Sequence, residues 1–384
     1  MNSHSSWAEI DLDAIAHNLR EVRRVCRPQA RIMAVVKADA YGHGASAVAR
    51  TVLENGADTL GVARAEEGLA LRRAGIRARI LVFGYSSPEL AGKLLEHDLT
   101  QTIFSLEQAR HFSAAAGSRR QRLKAHLKID TGMGRLGFVA DPAVRGGVEE
   151  AGQLQRAIEQ VSAVARLPFL DIEGIYTHFA AADGADKASA RRQFALFRDF
   201  LARLQRLGLR FPLRHAANSA AIIDLPETHL DMVRAGIMLY GLYPAAEVNR
   251  ERVELRPAMQ LKARVAQVRE VPAGFRVSYG STYEAPRPTR LATVTVGYAD
   301  GYSRLLSSRG SMLVRGCRAP VVGRVCMDQT VLDVGRIEGV RPGDEVVVFG
   351  RQGNECIAVE EIAVATGTIN YEIVSTITAR VPRL

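Results

Sequence analysis

Residues 30–44 read ARIMAVVKADAYGHG. Ile32, Met33, Ala34, Val35 and Val36 form one short apolar run, the pattern of a strand covered on both faces, as strands of parallel sheets are. Lys37 stands where that strand should end. An ammonium is costly to desolvate unless it is paired or chemically changed. Two readings of Lys37 are therefore open. Either it snorkels past its apolar stem to water, or its amine forms an imine with a carbonyl compound. Tyr41-Gly42-His43-Gly44 follows as a glycine-flexed turn into a new helix, and in α/β chains catalytic groups collect at the C-terminal ends of strands.

Working outward, the stretch 11–26 reads as a helix, with Leu12, Ile15, Leu19, Val22 and Val25 at three- and four-residue spacing and Asp11 or Asp13 able to cap its start. Strands are then expected at 32–36, 59–63, 80–83, 99–103, 124–129, 172–178, 213–217 and 232–235. Helical stretches such as 105–116, 148–164 and 189–207 lie between them. Eight strands with crossover helices predict an α/β fold, a (β/α)8 TIM barrel. A doubly wound open sheet is the alternative, and it loses weight because no GxGxxG turn follows the first strand. After Tyr243-Pro244 helical periodicity fades. Runs at 260–271, 290–297, 312–314, 320–325 and 345–349 are rich in β-branched residues and bounded by Gly and Pro, which predicts a second, C-terminal, mostly β domain. The expected division is 1–10 as an extended segment, 11–244 as the barrel and 245–384 as the β domain.

The chain has 384 residues, ordinary hydrophobic and charged fractions of 47% and 24%, and no apolar run of membrane-spanning length. MNSHSSWAEIDLDAI lacks the basic start and apolar core of a secretory signal. Cys26, Cys317, Cys326 and Cys356 show no CxxC spacing, which suggests reduced thiols in a cytoplasmic protein and no zinc site. The net charge of +10 does not point to nucleic acid, because 45 of the 51 basic residues are arginines spread along helices without a basic run or interleaved aromatics. Two of the six lysines, Lys37 and Lys128, lie at the ends of apolar strands.

Other strand ends carry polar residues that a packed core would not choose. The fifth leads into KIDTGMGRLGF, where two close glycines let the backbone turn and bring Arg135, a fork of donors suited to a carboxylate, back over the barrel mouth. A surface arginine on a turn is the plainer reading. The sixth strand ends in Thr177-His178. The seventh ends in HAANSAA, where Asn218 and Ser219 open a helix whose N-terminus is either a simple cap or an anion site. The eighth ends in Arg234-Ala235-Gly236-Ile237, where Gly236 allows close approach of backbone N–H groups to an oxyanion. Together these place phosphate donors on neighbouring strands of one barrel mouth.

AVVKADAYGHG resembles the pyridoxal-phosphate attachment site of the alanine racemase family, and further matching segments extend the resemblance over essentially the whole chain. The resemblance implies that Lys37 holds pyridoxal 5'-phosphate as an imine. It further implies that Tyr41, Asn218, Ser219, Gly236, Ile237 and Tyr371 surround the phosphate, and that Arg234 faces the pyridine nitrogen. Arg135 would contact the substrate carboxylate and the cofactor's ring oxygen. VSYGSTY resembles the family's second-base motif. It implies Tyr279 as the base for L-alanine and Lys37 for D-alanine, with His178 hydrogen-bonding the tyrosine. Met327 in GRVCMDQT would meet the substrate carboxylate through its backbone. Tyr279, Tyr371 and Ile369 resemble the inner gate of the entrance, with Arg304, Asp183 and Arg324 around the corridor. Lys128 matches a lysine often carbamylated in relatives. Asp39 departs mildly from the pattern, since many relatives carry Asn. The family relation implies L- and D-alanine as substrates, a homodimer with shared active sites, and the supply of D-alanine for peptidoglycan or its catabolism. The alternatives are a racemase of broader specificity, a barrel-plus-β decarboxylase, whose catalytic cysteine and glycine-rich phosphate loop are not evident here, and a non-catalytic pyridoxal-phosphate-binding barrel. The last leaves Tyr279 and Met327 unexplained.

Overall fold

The computed structural model describes residues 3–141 and 150–384. Two compact units emerge. One comprises Leu12–Ala40 and Ala45–Arg256; the other comprises Met1–Asp11, Tyr41–Gly44 and Pro257–Leu384.

The first unit is a closed barrel. Its strands are β2 (Arg31–Val35), β3 (Thr59–Val62), β4 (Arg79–Val82), β5 (Thr100–Ile103), β6 (Leu123–Asp130), β8 (Leu170–Tyr176), β9 (Leu213–His215) and β10 (Met232–Ala235). The strand β1 (Ser6–Ile10) precedes them in the chain, and the two-residue β7 (Phe138–Val139) flanks β6. Each barrel strand pairs in parallel with the next, β5 pairs with β6, and β10 returns to β2, so the ring has no edge. That closure rules out the doubly wound alternative. The strands are largely buried, because helices cover the barrel outside and side chains fill it inside, and several of the buried positions are polar, among them Gln101, His126, Lys128, His215 and Arg234. Met33, Leu81 and Met232 from three strands meet within it, with Phe83 packed against them. The opening helix runs Leu12–Val25 and buries Ile15, Leu19 and Val22, the face its periodicity predicts. The helix expected at 148–164 is seen from Glu150 to Ala165, and Val148 lies outside the described residues.

The second unit is built on an eight-stranded sheet. Its long central strand β11 (Met259–Val271) pairs with β1, β14 (Thr289–Val294) and β18 (Glu345–Gln352), all antiparallel. The hairpin β12 (Arg276–Val277) and β13 (Tyr283–Glu284) stands apart. The sheet is completed by β15 (Ser311–Val314), β16 (Cys317–Pro320), β17 (Thr330–Asp333) and β19 (Glu355–Ile357). The unit is mostly sheet, as expected, with two local departures. The stretch 320–325 leaves the sheet after Pro320 and an isolated bridge at Val321, because Gly323 turns the chain at φ +74°. Helix also returns at Val359–Thr366 and Asn370–Ser375, segments of about two turns that periodicity cannot detect.

After β2 comes a rarer feature. Ala38, Asp39, Ala40 and Tyr41 all have φ between +52° and +55°, so the chain makes a left-handed α-turn, closed by the amide of Ala40 donating to Val36 O at 2.9 Å. Only then do Gly42 and Gly44 follow, also at positive φ. Left-handed backbone costs an L-residue roughly 1–2 kcal/mol, and such residues normally occur singly. The expected glycine-flexed turn is therefore strained four residues before its glycines begin.

Candidate active site

Lys37 is half-buried at the C-terminal end of β2. Burial pushes its amine below the usual lysine range, the Arg135 guanidinium pushes the same way, and the Glu67 carboxylate opposes them. A depressed pKa leaves more of the amine unprotonated and nucleophilic.

The barrel interior is organised around Arg234, buried on β10. Its Nη2 donates to Thr177 O and Ala216 O at 2.9 Å and to His178 Nδ1 at 3.0 Å, and its Nη1 donates to His215 Nδ1 at 3.0 Å. A guanidinium has no acceptor, so both imidazole nitrogens facing it must be bare. His215 then carries its proton on Nε2 and donates to His126 Nδ1 at 2.9 Å. One arginine thus sets the tautomers of three histidines. Burial, reinforced by the Arg234 charge, holds His178 and His215 well below the usual imidazole range and His126 at about 3. Arg234 itself is lowered by burial to about 10 and remains charged at neutral pH. Tyr176 stacks on His215 with ring centroids 4.6 Å apart, its hydroxyl 3.1 Å from Thr102 Oγ1. His126 fits because β8 carries Gly174 opposite it, where a Cβ would come within 2.7 Å of the imidazole.

Two short helical turns start beside this network. Asn218 caps the turn Ser219–Asp224 by accepting the amide of Ala221 at 3.1 Å. Buried Ser219 accepts the amide of Gly236 at 2.9 Å through its Oγ, which ties that turn to the one over Ile237–Tyr240. The leading N–H groups of such turns have no partner within the turn, and here two sets converge with a hydroxyl. This donor set suits a phosphate, and the depressed amine of Lys37 suits an aldehyde. The residues present therefore fit pyridoxal phosphate.

Lys128 is buried on β6. It donates to Ile129 O at 2.9 Å, and its Nζ lies 5.7 Å from the Tyr176 ring centroid. Burial lowers its pKa to about 7, despite the nearby Asp130 carboxylate. Asp130 accepts the amides of Gly132, Met133 and Gly134, which coils the loop that carries Arg135. Arg135 is exposed on that loop, and its charge reaches Lys37, Lys128 and His178. Asp183 is exposed on the loop after β8.

The second unit holds the remaining expected residues. Tyr41 is buried there and its ring centroid lies 6.2 Å from that of Tyr371. Tyr279 is 70% exposed and Met327 52% exposed. Ser278, left-handed at φ +61°, joins their loops: its hydroxyl donates to Arg324 O at 2.6 Å and lies 3.3 Å from Cys326 Sγ. Arg304 is exposed on a short 3-10 turn, and exposed Ile369 precedes the helix that carries Tyr371.

Sequence reasoning missed Glu67, His126, His215 and Ser278. His215 stood in the quoted HAANSAA segment, and Glu67 stands three residues after Arg64 at a helix start, the capping position. Ser278 stood in the quoted VSYGSTY segment, directly before Tyr279, and nothing in the sequence marked His126.

The chain matches two family descriptions, "Alanine racemase, N-terminal domain" over residues 10–244 and "Alanine racemase, C-terminal domain" over residues 258–384. It is 54% identical to an alanine racemase of Desulfosudis oleivorans over 384 residues, covering all of this chain and 97% of that one. Against an alanine racemase of Methanococcus maripaludis the identity is 49%, with coverage of 100% and 99%. Among solved structures, the alanine racemase of Clostridium difficile superposes with a TM-score of 0.92 at 37% identity, covering 100% of this chain and 96% of that one. The alanine racemase of Bacillus anthracis with bound L-Ala-P gives 0.90 at 38% identity, with coverage of 100% and 95%. Sequence over the full length, barrel and sheet agree: the chain belongs to the alanine racemase family.

Proposed function

We propose that this chain interconverts L- and D-alanine with pyridoxal 5'-phosphate held on Lys37. The observation that carries the reading is the depressed amine of Lys37 at the end of a barrel strand, in a barrel that buries Arg234 among hydrogen-bond partners. Bound there, pyridoxal phosphate supplies an electron sink that acidifies the α proton of an amino acid. The chain does the rest. Ser219, Gly236 and Ile237, with the Asn218 cap behind them and the hydroxyls of Tyr41 and Tyr371, hold the phosphate. Arg234, a donor that stays charged, faces the pyridine nitrogen and keeps it unprotonated, which restrains the sink and favours returning the proton over side reactions. Arg135 and the Met327 backbone hold the substrate carboxylate. Lys37 Nζ takes or returns the α proton on one face and the Tyr279 hydroxyl does so on the other. The His178 Nε2–H, left free to donate by the Nδ1 contact with Arg234, stabilises the phenolate that a tyrosine base requires.

In this reading two chains pair as a homodimer, each lending Tyr279 and Met327 to its partner's site, which accords with the exposure of both side chains. Ile369, Arg304, Asp183 and Arg324 line the entrance, and a narrow gate favours a methyl side chain. Free cysteines accord with a cytoplasmic enzyme, and among the described residues no helix is long and apolar enough to cross a membrane. The test is a chiral product assay with L-alanine, L-serine, L-lysine and L-arginine supplied separately. D-alanine is expected to form fast while the others lag. Tyr279→Phe should lose at least about 100-fold in α-proton exchange of L-alanine while retaining cofactor. Fast turnover of lysine or arginine would make this a broad-specificity racemase. No D product with cofactor bound would leave a binding protein.

A further inference from the structure

Glu67 does two things at once. It is the third residue of the helix Ala65–Arg73, and its Oε2 accepts the amides of Ala63 at 2.7 Å and Arg64 at 3.0 Å. That is ordinary capping, satisfying N–H groups at a helix start. Its Oε1 accepts the amide of Ala38 at 2.6 Å, a bond the helix does not need. Ala38 directly follows Lys37 and is the first of the four left-handed residues. The next residue, Asp39, pins the far side of the turn by accepting the amide of Ala45 at 2.7 Å. One carboxylate therefore couples the C-terminal ends of the neighbouring strands β2 and β3.

We propose that Glu67 is the positioning residue for Lys37: by gripping the first amide of the left-handed turn, it fixes the amine at the barrel mouth. This rests on Lys37 being the reactive amine. An ionised carboxylate is the right group for the task. Both its oxygens accept, so one serves the helix and the other the turn. Glutamine has a single accepting oxygen. Glu67→Gln can keep the two-bond helix cap, but it must then turn an NH2 toward the Ala38 N–H. The substitution thus severs the link to the turn while sparing the helix. The negative charge of Glu67 also acts on Lys37, against the effects of burial and Arg135.

The experiment compares the unmodified enzyme, Glu67→Gln, and Glu67→Gln combined with Ala38→Gly, since glycine takes up left-handed backbone without strain. Borohydride reduction and peptide mapping of the unmodified holoenzyme first locate the attachment lysine. A lysine other than Lys37 would sink the reading of the site, whatever the Glu67 variants do. In Glu67→Gln we expect kcat for L-alanine to fall about 10- to 100-fold with KM nearly unchanged, and the apparent affinity for pyridoxal phosphate to fall about 10-fold. In the cofactor-free protein, amide exchange should quicken in the peptide spanning residues 37–44 and stay unchanged in that spanning 63–73. Ala38→Gly should restore part of the lost kcat. Unchanged exchange at 37–44 would overturn the proposal, as would faster exchange confined to 63–73, or a loss of activity that Ala38→Gly leaves untouched.

Discussion

Lys128 shows how one buried side chain can carry a conditional charge. With its pKa near 7, set chiefly by burial, it is cationic in mild acid and a neutral amine above neutrality. Only the neutral amine can add carbon dioxide, so a carbamate at Lys128 should be sparse below about pH 6 and accumulate as pH rises through 7. The new anion would face Arg135, whose charge already reaches this lysine. Native intact mass across that range checks it: the added mass of one carbon dioxide should appear with rising pH and vanish in Lys128→Ala. At this scale the sequence was legible where a residue type was out of place. Lys37 and Lys128 end apolar strands, and Arg234 interrupts one. It was silent on His126 and His215, because a histidine inside a strand has no local signature. Their roles come from Arg234, which meets His215 on the neighbouring strand directly and His126 only through His215.

The turn after β2 belongs to the element scale, and here local rules gave the wrong starting point. They assign left-handed backbone to glycine, and so they place the bend at Gly42 and Gly44. The chain instead bends at two alanines, an aspartate and a tyrosine, and surrounding bonds hold it there. Gly42 has its own reason to be glycine. It lies at φ +83°, and a Cβ there would come within 2.2 Å of the Val374 carbonyl oxygen. Gly42→Ala should therefore destabilise the protein by about 3 kcal/mol, combining left-handed strain with overpacking against backbone that cannot yield. A fall in the thermal unfolding midpoint measures it. Gly44→Ala, where only the Arg383 side chain lies near, should cost about 1 kcal/mol.

At the scale of the molecule, the barrel was readable because eight short apolar runs alternate with amphipathic helices, and ring closure is the edge-free way to bury them. The β unit was less readable, since its order β16-β15-β18-β11-β14-β17 departs from chain order and depends on pairings far apart in sequence. The proposed sharing of sites between two chains makes a prediction that only an assembly can answer. Neither a Lys37→Ala chain nor a Tyr279→Phe chain alone should racemise alanine. Mixed after subunit exchange, they should regain up to about a quarter of normal activity per site, because random pairing makes half of the dimers mixed and each carries one intact site. Failure to regain activity, with exchange shown by mass, would mean that each chain completes its own site.

Residues 41–44 group with the C-terminal unit although they lie within the barrel's stretch of sequence. Arg383, next to the last residue, donates to the carbonyl of Gly42 at 2.9 Å. The border between the units is therefore not a single cut point. A chimera that takes its second half from a relative, spliced after Arg256, would inherit foreign neighbours for a native tetrapeptide that begins four residues after Lys37. Recombination between members of this family should succeed most often when that tetrapeptide travels with the C-terminal half.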